Sequence, residues 1–552
     1  MRVGFDILAA HSGAPYFVKS RARRDRTATS HWRIALGTTN SLGCFQPDRL
    51  KAYVAGTRVR RLTTLGNIKA VVSPFTADNR SAYLERVGVA LDDFLHGEHA
   101  DPMTRRDQWM GALEGPLPDE GIGGKGVIDE LVRNVVPNGA RINEPGFWGW
   151  ITTEPTAVAT AASLAATVAS PQRYTLTAFN YLEELSLEWL AQLCGLGANM
   201  KGVYSSGGSV ANLVALGAAR QWALEQRGID SAAEGLGATR TAVYASAESH
   251  HTILRSAGVL GLGRRSVRLI PTDEQQRLNP VALARALEDD KVLGIVPLAV
   301  VATAGTTNTG AIDPLRECGE VARRYGAWFH VDGAYGLPGI LDERVRPLYD
   351  GLELADSVIV DPHKWLGAPT GIAATFVRDR SILHRAFTQE PADYLEGSFS
   401  DPDNARSSLE SMGIPYADFG VELSSPARGV VVWSILRELG RSGVTRRIKQ
   451  DNDFARQLAS SVRSSDRLEL LSEPVLSICC FRYRRDGIVD LDSLNEQVHR
   501  RLLRETPYLP SATVVNGSFG LRPCFINPRT SSEHVDGLAD AVVRFGDELS
   551  LS

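Results

Sequence analysis

The residues that could do chemistry in this chain fall at four places. In "ADSVIVDPHKWLGAPTGIAATFV" an apolar run is interrupted by Asp361, Pro362, His363 and Lys364 before it turns apolar again. A buried ammonium is disfavoured unless something compensates. Lys364 therefore either snorkels to the surface from a strand end or offers its amine as a nucleophile to a carbonyl. In "WFHVDGAYG" Asp332 ends an apolar stretch; a carboxylate there can be an ordinary loop residue, a metal ligand or the partner of a cationic heterocycle. His250 and His251 follow a third apolar stretch, in "YASAESHHTILRSAG". The fourth place is "VYSSGGSVANLVALGAAR", where Gly207, Gly208 and Ser209 precede a helical pattern. Glycines admit close backbone approach, and a helix N-terminus with a hydroxyl suits a phosphate. A serine-capped helix after a tight turn would read the same way. The spacing is neither GxGxxG nor the Walker pattern, which disfavours dinucleotides and triphosphates, and Asp332 lacks the further ligands of a metal site.

These residues need elements to position them. Residues 81–150 read as helices with polar, Pro/Gly-rich connections. From 151 to 400, apolar strands such as "TAVYAS", "GIVPLAVVATAG" and "AWFHVDG" alternate with helical stretches such as "NPVALARALED" and "DPLRECGEVARRYG". That alternation predicts an α/β fold with a largely parallel sheet. Beyond the helical "ARGVVVWSILRELGRSG", the strands "VLSICCFRY" and "FGLRPCFIN" and the terminal helix "EHVDGLADAVVRFGDEL" predict a smaller α+β domain. The expected organisation is an N-terminal extension (1–80), a helical segment (81–150), a large domain (151–430) and a small C-terminal domain (431–552). In open α/β sheets ligands bind beyond the carboxyl ends of strands, and all four places lie at such junctions.

One chemistry uses the whole set. A phosphate site, a carboxylate for a protonated ring nitrogen, a flat side chain to stack on a ring and a lysine for an aldehyde together fit pyridoxal phosphate. With "SSGGSVANL", "SAESHHT" and "TAGTTNTGAID" leading to "HVDGAYG" and "ADSVIVDPHKWL", the chain resembles the group II pyridoxal phosphate decarboxylases of fold type I over about residues 80–545. These include aromatic amino acid, glutamate and histidine decarboxylases. The resemblance implies that Lys364 carries the cofactor as a Schiff base, that Asp332 partners the pyridine nitrogen and that His250 stacks on the ring. It also implies that Ala334 packs on the opposite face, that Thr307 lies near the phenolic oxygen, and that Gly208 and Ser209 cradle the phosphate, with His363 counted among the cofactor-binding residues. Asp361 stands where some members have asparagine near the phosphate; because two anions would repel, it is expected to turn aside or to act indirectly. Gly333 replaces a frequent alanine, a change expected to matter little.

The stretch "AFTQEPADYLEGSF" resembles the family's catalytic loop, whose tyrosine reaches the neighbouring subunit's site. That implies Tyr394 as the donor of a proton to Cα, and a homodimer. "EPGFWGWITTEPT" resembles the segment lining the side-chain pocket and implies Trp150, Ile151 and Thr153 as substrate-binding residues, with core packing an equal explanation of the tryptophan. Arg428 matches a family arginine, while Ser425 stands where members acting on acidic substrates carry a basic residue. The expected activity is decarboxylation of an L-amino acid, aromatic or large and apolar, to its amine and CO2. Two alternatives stay open: oxidation to an aldehyde or amino transfer on the same cofactor, and a non-catalytic cofactor-binding protein.

Bulk properties agree with a large globular enzyme. The 552 residues are 43% hydrophobic and 22% charged with a net charge of −4, so neither nucleic acid nor an anionic membrane is an expected partner. Basic residues concentrate near the start, 14 Lys/Arg against 4 Asp/Glu in the first eighty, in a segment without sustained periodicity. Six cysteines without a CxxC pair suggest a reducing compartment. The start lacks the basic-then-apolar order of a secretory signal, and no apolar run is long enough to span a bilayer. Cytoplasm is the expected location.

Overall fold

The alternation of strands and helices resolves into a seven-stranded sheet. The computed structural model of the protein describes residues 79–97, 102–170, 178–388 and 413–551. In chain order the strands are β1 (Phe147–Trp148), β2 (Lys201–Ser205), β3 (Thr241–Ser246), β4 (Val267–Ile270), β5 (Val296–Thr303), β6 (Trp328–Asp332), β7 (Ser357–Val360), β8 (Ala373–Val377), β9 (Leu468–Ser472), β10 (Cys480–Tyr483), β11 (Leu509–Val515) and β12 (Ser518–Arg522). The large sheet has the order β2-β8-β7-β6-β5-β3-β4. All its pairings are parallel except the two made by β8. Its inner strands, such as "LAVVAT" in β5, are buried along nearly their whole length rather than alternating, as expected where helices cover both faces.

The second sheet, in the order β1-β11-β12-β10-β9, belongs to the C-terminal region but takes its edge strand from Phe147–Trp148. The expected boundary at 150 therefore cuts through a continuous structure. A long helix, Gly429–Ser464, leads into this region and turns at Gly440, whose φ of 60° suits glycine. Leu476, Ile478, Cys480 and Ile526 pack into the same core as the large sheet, so the two parts share apolar contacts. Trp148, Phe481, Phe525 and Phe545 centre a second cluster.

The segment 81–150 contains helices joined by coil and ends with β1, and its helices Arg80–His96, Arg106–Leu113 and Gly123–Glu130 bury none of their residues. No helix among the described residues is long and apolar enough to cross a membrane.

Candidate active site

Five parallel strands end on one cavity of about 260 Å³. The turn after β2 brings Gly207, Gly208 and Ser209; the end of β3 leads to His250; β5 ends at Thr303 and leads to Gly305 and Thr307. The end of β6 supplies Asp332 and Ala334, and the turn after β7 supplies Asp361, His363 and Lys364. Gly208, Ser209, His250, Thr307, Asp332, Ala334, His363 and Lys364 thus all line one space, although they come from 157 positions of sequence.

The cradle after β2 is shaped by its glycines. Gly207 has a φ of 121°, which an L side chain rarely adopts, and a Cβ on Gly208 would stand 2.6 Å from Asp361 Oδ2. The helix Gly208–Glu225 starts there, and the first N–H groups of a helix have no partner within it. These donors open on the cavity with the Ser209 hydroxyl.

Asp332 is 4% exposed. Its Oδ1 accepts the Ala334 N–H at 3.1 Å and its Oδ2 accepts the Asn212 amide at 3.0 Å. His250 Nδ1 lies 2.9 Å from the Thr252 hydroxyl and accepts the Thr252 N–H at 3.3 Å. Burial holds the His250 imidazole below its ordinary pKa, outweighing the attraction of Asp332.

Lys364 follows β7 in a tight turn in which its N–H bonds to the Asp361 carbonyl at 3.0 Å. Its Nζ stands 3.2 Å from Asp361 Oδ2, and His363 Nε2 lies 3.7 Å from the same oxygen. The expectation that Asp361 turns aside is therefore corrected: the carboxylate is buried, lines the cavity and is drawn inward by two neighbouring nitrogen groups. Burial nevertheless keeps its carboxyl above the ordinary carboxylate range, against the pull of Lys364 and His363.

Among the residues expected around the substrate, Ile151 alone lines the cavity. Trp150 is 70% exposed with a φ of 53°, and its carbonyl accepts from Arg522 at 2.5 Å. Thr153 is buried away from the lining. Arg428 is also outside it: its guanidinium is held by Glu422 at 2.7 Å and by the Gly371 carbonyl at 3.0 Å. It braces the Thr370–Gly371 turn, which does line the cavity. Tyr394 lies outside the described residues.

Asn212, Thr252, Thr303 and Tyr335 join the lining without having been anticipated. Asn212 had a signal, since it follows Gly208 by one helical turn and shares its face.

The arrangement fits a phosphate-bearing aromatic aldehyde. The phosphate would meet glycines and a helix N-terminus; a ring nitrogen would meet a buried carboxylate; an aldehyde would meet an amine. Two lining groups, Thr303 Oγ1 and Asp361 Oδ1, are buried with no hydrogen-bond partner, a condition native proteins seldom leave without a ligand or water. Among the described residues no cluster of three or more His, Cys, Asp or Glu side chains could hold a metal ion.

Residues 117–484 match the model of the pyridoxal-dependent decarboxylase conserved domain. The chain is 29% identical over 446 residues to an aromatic-L-amino-acid decarboxylase of Bacillus atrophaeus, covering 79% of this chain and 88% of that one. It is 28% identical over 440 residues to an acidic amino acid decarboxylase of Xenopus tropicalis, covering 76% and 83%. Its fold matches the crystal structure of Oryza sativa TDC with PLP and tryptamine with a TM-score of 0.77 at 27% identity, over 86% of this chain and 99% of that chain. The chain belongs to the pyridoxal-dependent decarboxylase family and is a pyridoxal phosphate-dependent amino acid decarboxylase.

Proposed function

We propose that the substrate is an aromatic L-amino acid and that the product is the corresponding amine. The observation that carries this is the cavity's lack of a cation for a second carboxylate. Among the described lining residues Lys364 is the only lysine and there is no arginine. The nearby Arg428 is neutralised by Glu422, and Ser425 donates nothing cationic. An acidic side chain would lose its hydration there without gaining a partner, whereas Ile151 offers apolar surface. The aromatic relative from Bacillus agrees with this reading, but comparable identity to the acidic amino acid decarboxylase means that the pocket must decide.

When bound, pyridoxal phosphate supplies an aldehyde for covalent attachment and a pyridinium ring that accepts the electrons left behind by CO2. In the proposed division of labour the Lys364 amine would hold the cofactor by its aldehyde, Asp332 would favour a proton on the ring nitrogen, and His250 and Ala334 would flank the ring. Gly208 and Ser209 anchor the phosphate, with Thr307 beside the ring and His363 next to Lys364. Tyr394 returns the proton to Cα, a role that rests on the resemblance of its sequence segment.

A homodimer completes the proposal. Helices Arg80–His96, Arg106–Leu113 and Gly123–Glu130 expose Leu84, Val89, Met110 and Val127 in the single chain, an apolar surface that a second copy would cover. Trp150, exposed beside the cavity-lining Ile151, would then stand near the junction.

The test is a comparison of CO2 and amine release from tryptophan, phenylalanine, glutamate and aspartate under identical loading with cofactor. Aromatic turnover at least tenfold above acidic turnover is expected. Faster release from glutamate or aspartate would overturn the substrate assignment.

A further inference from the structure

Asp332 and His250 are joined beneath the cavity by a chain of polar side chains, buried except at His250. Trp328, His330 and Asp332 alternate along β6, so their side chains share one face of the strand. His330 is paired in register with Ser357 on β7. Trp328 Nε1 donates to Ser357 Oγ at 2.7 Å, and Ser357 Oγ lies 2.8 Å from His330 Nδ1. His330 Nε2 lies 2.9 Å from Asn212 Oδ1. The Asn212 amide reaches Asp332 Oδ2 at 3.0 Å and Thr252 Oγ1 at 3.4 Å, and Thr252 Oγ1 lies 2.9 Å from His250 Nδ1.

Both ends of this chain have a fixed polarity. An indole nitrogen only donates, and an ionised carboxylate only accepts. Between them the donors can run in one direction: indole to Ser357, Ser357 to His330 Nδ1, His330 Nε2–H to Asn212 Oδ1, and the Asn212 amide outward. That amide has two N–H groups, one for Asp332 and one for Thr252, whose hydroxyl is then free to donate to His250 Nδ1. We propose that Asn212 is the branch point of a directed hydrogen-bond network, in which one amide positions Asp332 and orients the Thr252 hydroxyl that, together with the Thr252 N–H, holds His250 Nδ1 as an acceptor. It acts through these residues on the cofactor ring, fixing the carboxylate that faces the ring nitrogen and leaving His250 Nε2–H directed at the cavity.

The network stands on the geometry, and the charge environment is consistent with it. His330 is fully buried, with Asp332 as its neighbouring charge, and burial brings it down to about 4. His330 therefore keeps one proton at neutral pH. Around His250 stand Asp332, His251, Lys364 and Arg255; burial, reinforced by the last three, prevails over the attraction of Asp332 and holds the ring below its ordinary pKa.

This inference rests on pyridoxal phosphate binding in the cavity for its mutant arm, and on the protein alone for its spectroscopic arm. In 15N-histidine NMR of the wild-type protein with and without pyridoxal phosphate, His330 and His250 are expected as Nε2–H tautomers at pH 8, and His330 is expected not to titrate between pH 6 and 9. Asn212→Asp is nearly isosteric yet sets a second carboxylate against Asp332, while Asn212→Leu only removes the amide. The Asp variant is expected to weaken pyridoxal phosphate binding more than the Leu variant, and both by at least tenfold. Cofactor labelled with 15N in its ring should show loss of ring-nitrogen protonation in both. A role limited to filling space would instead make Asn212→Asp the milder change. That order, wild-type affinity in either variant, or a proton on Nδ1 of either ring would overturn the inference. If neither variant folds, the wild-type tautomers alone decide it; failure to bind any pyridoxal phosphate would instead count against the reading of the cavity.

Discussion

Asp332 and His330 show how burial is used differently two positions apart on one strand. The Asp332 carboxylate is buried yet accepts two hydrogen bonds, so its charge is compensated where a protonated ring nitrogen would add a third partner. Removing it in Asp332→Ala leaves the phosphate cradle intact. Turnover should fall by about 100-fold or more, the scale of losing one preorganised electrostatic group, while the cofactor dissociation constant should change less; near-normal turnover would contradict the proposed role. His330 has a stability signature. Its folded pKa of about 4 lies below the ordinary 6.5, so between those values the unfolded chain holds more protons and stability rises with pH. From this group alone, acidification from pH 7 to 4 should cost up to about 3 kcal/mol, at about 1.4 kcal/mol per unit. His330→Gln should be less stable at pH 7 but lose less on acidification, as read from urea midpoints across pH. An equal slope in both proteins would remove His330 as a source of acid sensitivity.

At the scale of elements, the turn after β6 corrects an expectation. Gly333 was expected to stand for alanine at little consequence, yet a Cβ there would lie 2.6 Å from Leu337 Cβ and 2.9 Å from the Ile359 carbonyl. A backbone carbonyl in a buried strand cannot move aside cheaply, so Gly333→Ala should destabilise the fold by about 1–3 kcal/mol, the usual range for overpacking, measured by urea unfolding. An unchanged midpoint would show that the turn yields. Such close approaches are not legible in sequence, because they depend on which residue of a distant strand lies opposite. What was legible is equally specific. "TAVYAS" is β3 residue for residue, since an uninterrupted apolar run between polar flanks marks a buried strand. Lys364, Asp332 and His250, which line the cavity, stand out in the sequence as polar residues at the ends of such runs, and Gly208 as part of a glycine pair before a helix. Trp150, Thr153 and Arg428 lie outside the cavity lining for a related reason: resemblance aligns backbone positions but does not show that Glu422 captures the guanidinium or that Trp150 is exposed in the single chain. His330 and Asn212 look in sequence like ordinary core-facing residues, and only pairing of β6 with β7 and packing of a helix on that face brings them together.

For the whole molecule, the N-terminal helices are the part that a single chain leaves unfinished. They carry apolar side chains but bury none of their residues, and hydrophobic burial is the main term available to stabilise them. Light scattering on the purified protein should give the mass of two chains, and truncation before residue 136 should yield monomers with impaired turnover; a fully active monomer would contradict the proposed dimer. The central claim is that the strand ends of the large sheet build one cofactor site around Lys364. Borohydride reduction of the protein loaded with pyridoxal phosphate, followed by proteolysis and mass spectrometry of every lysine-containing peptide, tests it most directly. A single phosphopyridoxyl label on Lys364, absent from Lys364→Ala, is the predicted result; a label on another lysine, or none on a protein that still releases CO2 from its substrate, would contradict it.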